Sequence, residues 1–255
     1  MAEEYTNCLY NEHKKYAAWW PNALYEPGDF GVLRGRLFTK IGNIGKDFGI
    51  KTEVLPSSPP SVFTYASKDA VDCVFKPNAS IGIAGGIEFF RGSMEISFSG
   101  ENAIFLYADG SVTYSLDNKP VVYAKLKSLF KKGIWEKEYQ LIIEVVRAGN
   151  TTVYISGGRS AKVSLDAEIP IQSPVALGTI SSVNFGAPNI KLGFGSKKNI
   201  AFTIESQPGV TPFMTLSHID QSFLGAPHWN TLERGNESEL QDDDLEEVLL
   251  FEETQ

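Results

Sequence analysis

Apolar and polar side chains alternate along much of the chain after residue 62. In the clearest stretch, Met94, Ile96 and Phe98 alternate with polar residues. An alternation with a period of two is typical of a strand that has one face in a core and the other in water. Further strands are predicted at residues 31–41, 161–165, 183–185, 190–194, 200–204 and 213–216.

Two glycine-containing dipeptides lie between runs of strand-forming residues. Asp109-Gly110 is in the middle of residues 104–116, and Gly149-Asn150 interrupts residues 139–156. Dipeptides of this kind favour the tight turns that join two adjacent antiparallel strands. The sequence therefore predicts one β-hairpin in each of these segments.

Residues 121–132 break the alternation, because their apolar side chains recur at helical spacing. Pro120 suits the first turn of a helix, and Gly133 suits its end. The polar face is basic and carries Lys125, Lys127, Lys131 and Lys132. Two interpretations remain open for this helix. It covers the sheet with its lysines in water, or it faces a membrane and meets anionic headgroups.

A second, polar helix is predicted at residues 3–18, ending before Trp19-Trp20-Pro21, because the residue before a proline avoids the α conformation. These patterns predict a β-rich α+β fold. We expect a single domain with a large twisted antiparallel sheet, one central amphipathic helix and peripheral helices. Strand residues should outnumber helical residues by at least about two to one, against the usual preponderance of helix.

The charge of the chain is concentrated at its C-terminal end. The chain has 23 basic and 31 acidic residues, and nine of the carboxylates lie within residues 236–255. Without this segment the balance is 23 basic against 22 acidic residues. Apolar residues are interspersed with the carboxylates, which a purely solvated acidic tail does not need. We therefore divide the chain into a body, residues 1–235, and an acidic tail, residues 236–255.

The composition excludes several classes of function. A near-neutral body lacks the basic footprint of a nucleic-acid-binding protein, so no nucleic-acid partner is expected. The N-terminus lacks the apolar core of a signal peptide, and no run reaches the ~18 apolar residues of a membrane-spanning helix. We find no catalytic motif and no metal-ligand spacing. The sequence therefore predicts no enzyme activity, no cofactor and no metal.

Cys8 has two interpretations. A cysteine in a helix is usually a small, partly buried thiol without a chemical role. A thiol on an amphipathic helix can also carry a lipid, so Cys8 is a candidate for S-acylation.

The middle of the chain, over roughly residues 90–165, resembles the gasdermin family, especially its short bacterial and fungal members. The resemblance begins with Phe98-Ser99 and the strands after it, and continues through the basic helix to Trp135. The next run, Ile142-Ile143-Glu144-Val145-Val146-Arg147-Ala148, takes the place of the family's Val-Thr-Glu-Val-Val-x-Ala strand. This resemblance implies a pore-forming domain followed by a short inhibitory peptide. Bacterial members can carry an acylated cysteine near the N-terminus, and Cys8 is the candidate here.

The favoured hypothesis is an autoinhibited pore-former that acts in cell death or defence. Proteolysis would release the tail, and the body would oligomerise and insert β-hairpins from residues 81–98 and 153–171. The predicted cleavage site is Arg234-Gly235, with Asp244-Leu245 as the alternative. The inhibitory contacts are assigned to Leu245, Val248, Leu249, Leu250 and Phe251.

The expected partners are an activating protease, membrane lipids and other copies of the chain. The expected location is the cytoplasm before activation and the membrane afterwards. The alternative hypothesis is a non-enzymatic β-sandwich that binds a protein partner through its acidic tail. A hydrolase with an unrecognised site is a third possibility.

Overall fold

The computed structural model describes residues 1–84, 87–170, 190–220 and 228–231. This part of the chain is 56% strand and 15% helix, which confirms the predicted β-rich α+β fold. Its helices are α1 (Ala2–His13), α2 (Ile44–Phe48) and α3 (Lys119–Lys131). Its first strands are β1 (Tyr16–Ala17), β2 (Asp29–Arg34), β3 (Leu37–Asn43), β4 (Val54–Pro56), β5 (Ser61–Ala66), β6 (Val71–Ala84), β7 (Ile87–Phe98) and β8 (Ile104–Leu116). The remaining strands are β9 (Tyr139–Arg147), β10 (Asn150–Ser156), β11 (Ala161–Pro170), β12 (Lys191–Lys198), β13 (Ile200–Gln207), β14 (Phe213–Asp220) and β15 (His228–Thr231).

The strands form two antiparallel sheets. In the described part of the chain, the large sheet has eleven strands, and its main path is β1-β14-β9-β8-β10-β13. Beside this path, β15 pairs with β14, β2 pairs with β3 and β9, and both β4 and β5 pair with β8. The small sheet has four strands in the order β12-β11-β7-β6.

Three strands at the centre of the large sheet form one long, bent ladder. β8 is a single strand, and β9 and β10 follow each other along it in one register, with Arg147 opposite Val112 and Asn150 opposite Asp109. The ladder bends where Gly149 donates its N–H to the carbonyl oxygen of Gly110 at 3.2 Å. The bend divides the large sheet into two halves.

Both hairpin predictions in this region are therefore wrong. Gly110 has a φ of 58°, which allows the chain to bend, but β8 continues through it. β9 and β10 do not pair with each other, because both pair with β8. The real reversal between β8 and β9 is made by the connection that contains α3.

Other element boundaries also differ from the expectations. Residues 31–41 do not form one strand, because the chain reverses at Gly35, where φ is 60°, and makes the β2–β3 hairpin. The N-terminal helix ends at His13 and not at residue 18, since Lys14 takes the left-handed conformation and bonds back to Tyr10. The strand predicted at 183–185 lies outside the described residues.

The half of the large sheet that contains β5, β10, β13 and the start of β8 is covered on both faces. One face packs against the small sheet through Phe105, Tyr107 and Tyr154. The other face packs against α1, where Tyr5 and Leu9 are fully buried. This half is therefore the middle layer between a helix and a second sheet.

The half that contains β9 and β14 is also covered on both faces. α3 lies over one face, where Val122 and Leu126 pack with Trp135 against Leu141 and Ile143. The other face carries a cluster of Tyr16, Tyr25, Phe38, Ile142, Val145, Met214 and Leu216. The predicted amphipathic helix therefore lies on the sheet, with its apolar side chains in the core.

Candidate functional site

The small sheet is the direct continuation of one half of the large sheet. β6 follows β5, β7 leads into β8, β11 follows β10, and β12 leads into β13. The order β6-β7-β11-β12 in the small sheet matches the order β5-β8-β10-β13 in the large one. All four connections, which we call the corners, lie at one end of the small sheet: residues 67–70, 99–103, 157–160 and 199. Four strands of the large sheet thus fold back at their corners to make a second layer.

The two faces of the small sheet differ in polarity. The inner face packs on the large sheet and is lined by Phe75, Met94, Ile96, Phe98, Val163 and Leu165. This arrangement confirms the predicted alternation at residues 94–98. The outer face carries ion pairs between neighbouring strands, including Lys162 with Glu95 at 2.8 Å and Lys191 with Glu168 at 3.2 Å. The hydrogen bond from Lys191 lowers the pKa of Glu168, so this carboxylate is ionised at neutral pH.

Polar contacts also tie the two sheets together near β12. Glu205 on β13 accepts a hydrogen bond from the Tyr154 hydroxyl at 2.8 Å and pairs with Lys197 of the small sheet at 3.1 Å. Burial and the adjacent carboxylate raise the pKa of Tyr154, so the hydroxyl remains a donor. The Tyr107 hydroxyl accepts a hydrogen bond from the N–H of Ile190 at 3.1 Å. The small sheet is therefore held by directional bonds as well as by its apolar face.

The residues proposed as hairpin donors correspond only partly to this arrangement. Residues 81–98 fall on the β6–β7 hairpin of the small sheet, as expected. Residues 153–171 do not form one hairpin, because they run from β10 through a corner into β11. The partner of β11 on its other side is β12, whose antiparallel pairing the sequence did not reveal.

The basic face of α3 points away from the core. Lys125, Lys131 and Lys132 are exposed, and Lys127 is half-buried. Ile134, just beyond the helix, is also exposed. The structure thus leaves three of the four predicted lysines exposed at α3 and the residue after it. Their interaction with lipid stays a prediction.

Cys8 is half-buried on α1, on the side that faces the large sheet. It packs, with Phe63 and Tyr65, against the buried cluster that contains Tyr5 and Leu9. Its acylation stays a prediction. Cys73 lies on β6, and burial raises the pKa of its thiol to about 12.

The last described segment, β15, is a strand of the large sheet that also contacts α3. It pairs with β14, with Trp229 opposite Ile219. The Trp229 ring stacks on Tyr123 of α3 with centroids 4.3 Å apart, and its indole N–H donates to the Tyr123 carbonyl at 3.3 Å. Trp229 thereby holds the chain against α3 just before the tail. The sequence favours a packing role for this tryptophan but does not identify its partner, which is more than 100 positions away.

The predicted cleavage residues, Arg234 and Gly235, lie outside the described residues. The predicted inhibitory residues Leu245, Val248, Leu249, Leu250 and Phe251 lie outside them as well. The contacts of Trp229 in β15 place the chain beside α3 before it reaches these residues.

The described part of the chain contains no group of three or more His, Cys, Asp or Glu side chains arranged to hold a metal ion. Among the described helices, none combines the length and apolar character needed to cross a membrane. The chain matches no family model. A comparison with curated proteins found no significant match.

Proposed function

We propose that this protein is an autoinhibited pore-former activated by proteolytic removal of its C-terminal tail. The observation that carries the proposal is the small sheet: four strands in the same order as their continuations, with all corners at one end. Straightening the corners would join each small-sheet strand end to end with its neighbour in the large sheet. The result would be four long strands in the same order as before. Such a change would move the two small-sheet hairpins away from the body and leave the large sheet intact.

Three of the four small-sheet strands have the length that membrane insertion requires, and β12 is slightly shorter. β6, β7, β11 and β12 have 14, 12, 10 and 8 residues. A strand that crosses a bilayer at a tilt needs about 9–11 residues. Membrane strands alternate between a lipid-facing apolar side and a polar side. The inner face around Ile96 and Val163 would meet lipid, and the ion-paired outer face would line the pore.

The tail would act as the restraint. Its carboxylates complement the exposed lysines of α3, and β15 brings the chain to this helix. Tethering gives such a segment a local concentration of roughly 1 mM, so even a micromolar affinity would keep it docked about 99.9% of the time. Cleavage at Arg234-Gly235 would let it diffuse away. The partners would then be a protease, membrane lipids and other copies of the chain, with movement from cytoplasm to membrane after activation.

A liposome-leakage assay tests the proposal directly. A specific protease site is inserted near residue 236, and dye release is measured from liposomes that contain anionic lipid. We expect release only when the tail has been severed, because the intact chain keeps the small sheet folded. The control is the same protein without protease, together with wild-type protein that is treated with the protease.

The alternative is a β-sandwich that binds a protein partner through its acidic tail. The face-to-face packing of the two sheets favours this interpretation. It predicts that the severed protein stays monomeric and releases no dye from any membrane. That result would refute the pore-forming proposal and leave the tail as the binding segment.

The charge of α3 provides a second prediction. Changing Lys125, Lys127, Lys131 and Lys132 to Glu should abolish leakage from anionic liposomes after cleavage, since each lysine near such a surface contributes about 1 kcal/mol to binding. Thermal unfolding should show that the fold survives, because the apolar face of the helix is unchanged.

A matched variant controls for net charge. It carries the same number of lysine-to-glutamate changes at exposed positions outside α3: Lys14, Lys46, Lys51 and Lys68. This control should keep most of the leakage activity. Undiminished leakage by the α3 variant would show that the helix only covers the sheet.

A further inference from the structure

The four corners share a backbone feature that is rare in the rest of the described residues. Non-glycine residues seldom take positive φ angles, because the side chain then crowds the following carbonyl. Within the described part of the chain, five do so: Lys14, Asp69, Asn102, Ser160 and Asn199. Lys14 ends α1. The other four lie one in each corner, with φ between 54° and 66°.

The corners are also joined to each other by main-chain hydrogen bonds. The N–H of Ser99 in the second corner donates to Ala70 in the first at 3.0 Å. Asn102 in the second corner donates its N–H to the carbonyl of Ser156, the last residue of β10 before the third corner, at 3.1 Å. Gly157 in the third corner donates to Asn199, which is the fourth, at 2.7 Å. The four corners therefore form one continuous row across the fold.

The side chains of these four residues make no hydrogen bond that would fix their conformation. Asp69, Ser160 and Asn199 are exposed, and Asn102 is half-exposed. None of the four donates or accepts a side-chain hydrogen bond in the described structure. Three of the four are Asp or Asn, which tolerate the left-handed region better than other non-glycine residues, and an extended strand would not require this conformation.

We propose that this row of corners is the hinge for the movement of the small sheet, and that its four left-handed residues set how readily the sheet opens. The proposal rests on the proposed pore-forming function for its purpose, but the hinge itself is a property of the intact chain. When a corner straightens, its left-handed residue returns to the extended conformation that L-residues prefer. Because the corners are bonded in a row, they open together.

Two kinds of substitution at the corners should shift the equilibrium between the folded-back and the straight state in opposite directions. Glycine accepts a positive φ without steric cost, so the variant D69G/N102G/S160G/N199G favours the folded-back state. A β-branched residue is strongly disfavoured there, so the variant N102V/N199V favours the straight state. Three of the side chains are exposed and Asn102 is half-exposed, and none belongs to a hydrophobic cluster, so these changes remove no apolar core contact.

Amide hydrogen exchange of the intact, uncleaved chain is the primary measurement. We expect the glycine variant to slow exchange in β6, β7, β11 and β12 about ten-fold, and the valine variant to speed it about ten-fold. Exchange in β9 and β14 should stay within about two-fold of wild type. The variants K14G and K14V place the same substitutions at the left-handed residue outside the corners and should affect α1 alone.

Two exchange results would overturn the hinge. One is an equal change in both sheets, which indicates a change in global stability. The other is a change confined to the residues next to each substitution, which indicates local strain. A dye-release assay on the severed variants separates this inference from the pore-forming function. Exchange as expected without any dye release keeps the hinge and refutes the pore. Normal dye release with unaltered exchange refutes the hinge and keeps the pore.

Discussion

Replacing Trp229 by alanine is expected to make the uncleaved protein release dye from liposomes about 30-fold faster than wild type. The substitution removes the stack on Tyr123 and the hydrogen bond from the indole N–H to the main chain of α3. Loss of a half-buried aromatic contact of this kind costs about 2 kcal/mol, which corresponds to about a 30-fold larger detached population. The measurement is leakage from anionic liposomes without protease.

Trp20→Ala is the matched control, because Trp20 is 58% exposed and stacks on Trp19 and Phe202 instead of α3. It should leave the rate of uncleaved leakage unchanged. Equal rates for the Trp229 variant and wild type would show that β15 does not restrain the body. The inhibitory role would then belong to the tail alone.

Replacing Trp135 by alanine should lower the free energy of unfolding by about 3–5 kcal/mol, the largest effect on stability that we expect. Trp135 is 2% exposed, and its ring lies against those of Phe30, Phe48 and Tyr139 under α3. Its removal leaves a cavity that several rigid aromatic rings cannot fill. Urea-induced unfolding measures the change, and the melting temperature should fall by roughly 10 °C.

The neighbouring residue gives a stringent comparison. Ile134 is 50% exposed, so Ile134→Ala should change the free energy of unfolding by no more than about 0.5 kcal/mol. A loss below 1 kcal/mol for Trp135→Ala would contradict the assignment of this side chain to the centre of its cluster.

Local patterns in the sequence correctly predicted which side chains of β7 and α3 face the core. The alternation at Met94, Ile96 and Phe98 correctly assigned one face of β7 to a core, because side-chain direction depends only on the period of the strand. The spacing of Val122 and Leu126 likewise identified the buried side of α3. Both properties are local, so one sequence is sufficient for them.

Pairing between strands was much harder to predict. Asp109-Gly110 suits a tight turn, but the same flexible glycine also suits a bend in a continuous strand. Whether the chain makes a tight turn or a bend at Gly110 depends on Gly149. Gly149 is distant in the sequence and lies opposite Gly110 in the ladder. The fold-back of the small sheet could not be predicted from the sequence for a similar reason. Asn102 and Asn199 are ordinary turn residues in the sequence, and only the structure shows that their corners lie side by side.

The facing glycines Gly110 and Gly149 constrain the number of residues in β8 and in the β9–β10 segment opposite it. β8 keeps a single register with β9 and β10 on both sides of the bend. One residue inserted near Gly110 would shift the register of the rest of β8 by one. Side chains such as Tyr114 would then point to the opposite face of the sheet. Only a compensating insertion near Gly149 would restore the match. Related chains should therefore conserve the number of residues in this ladder.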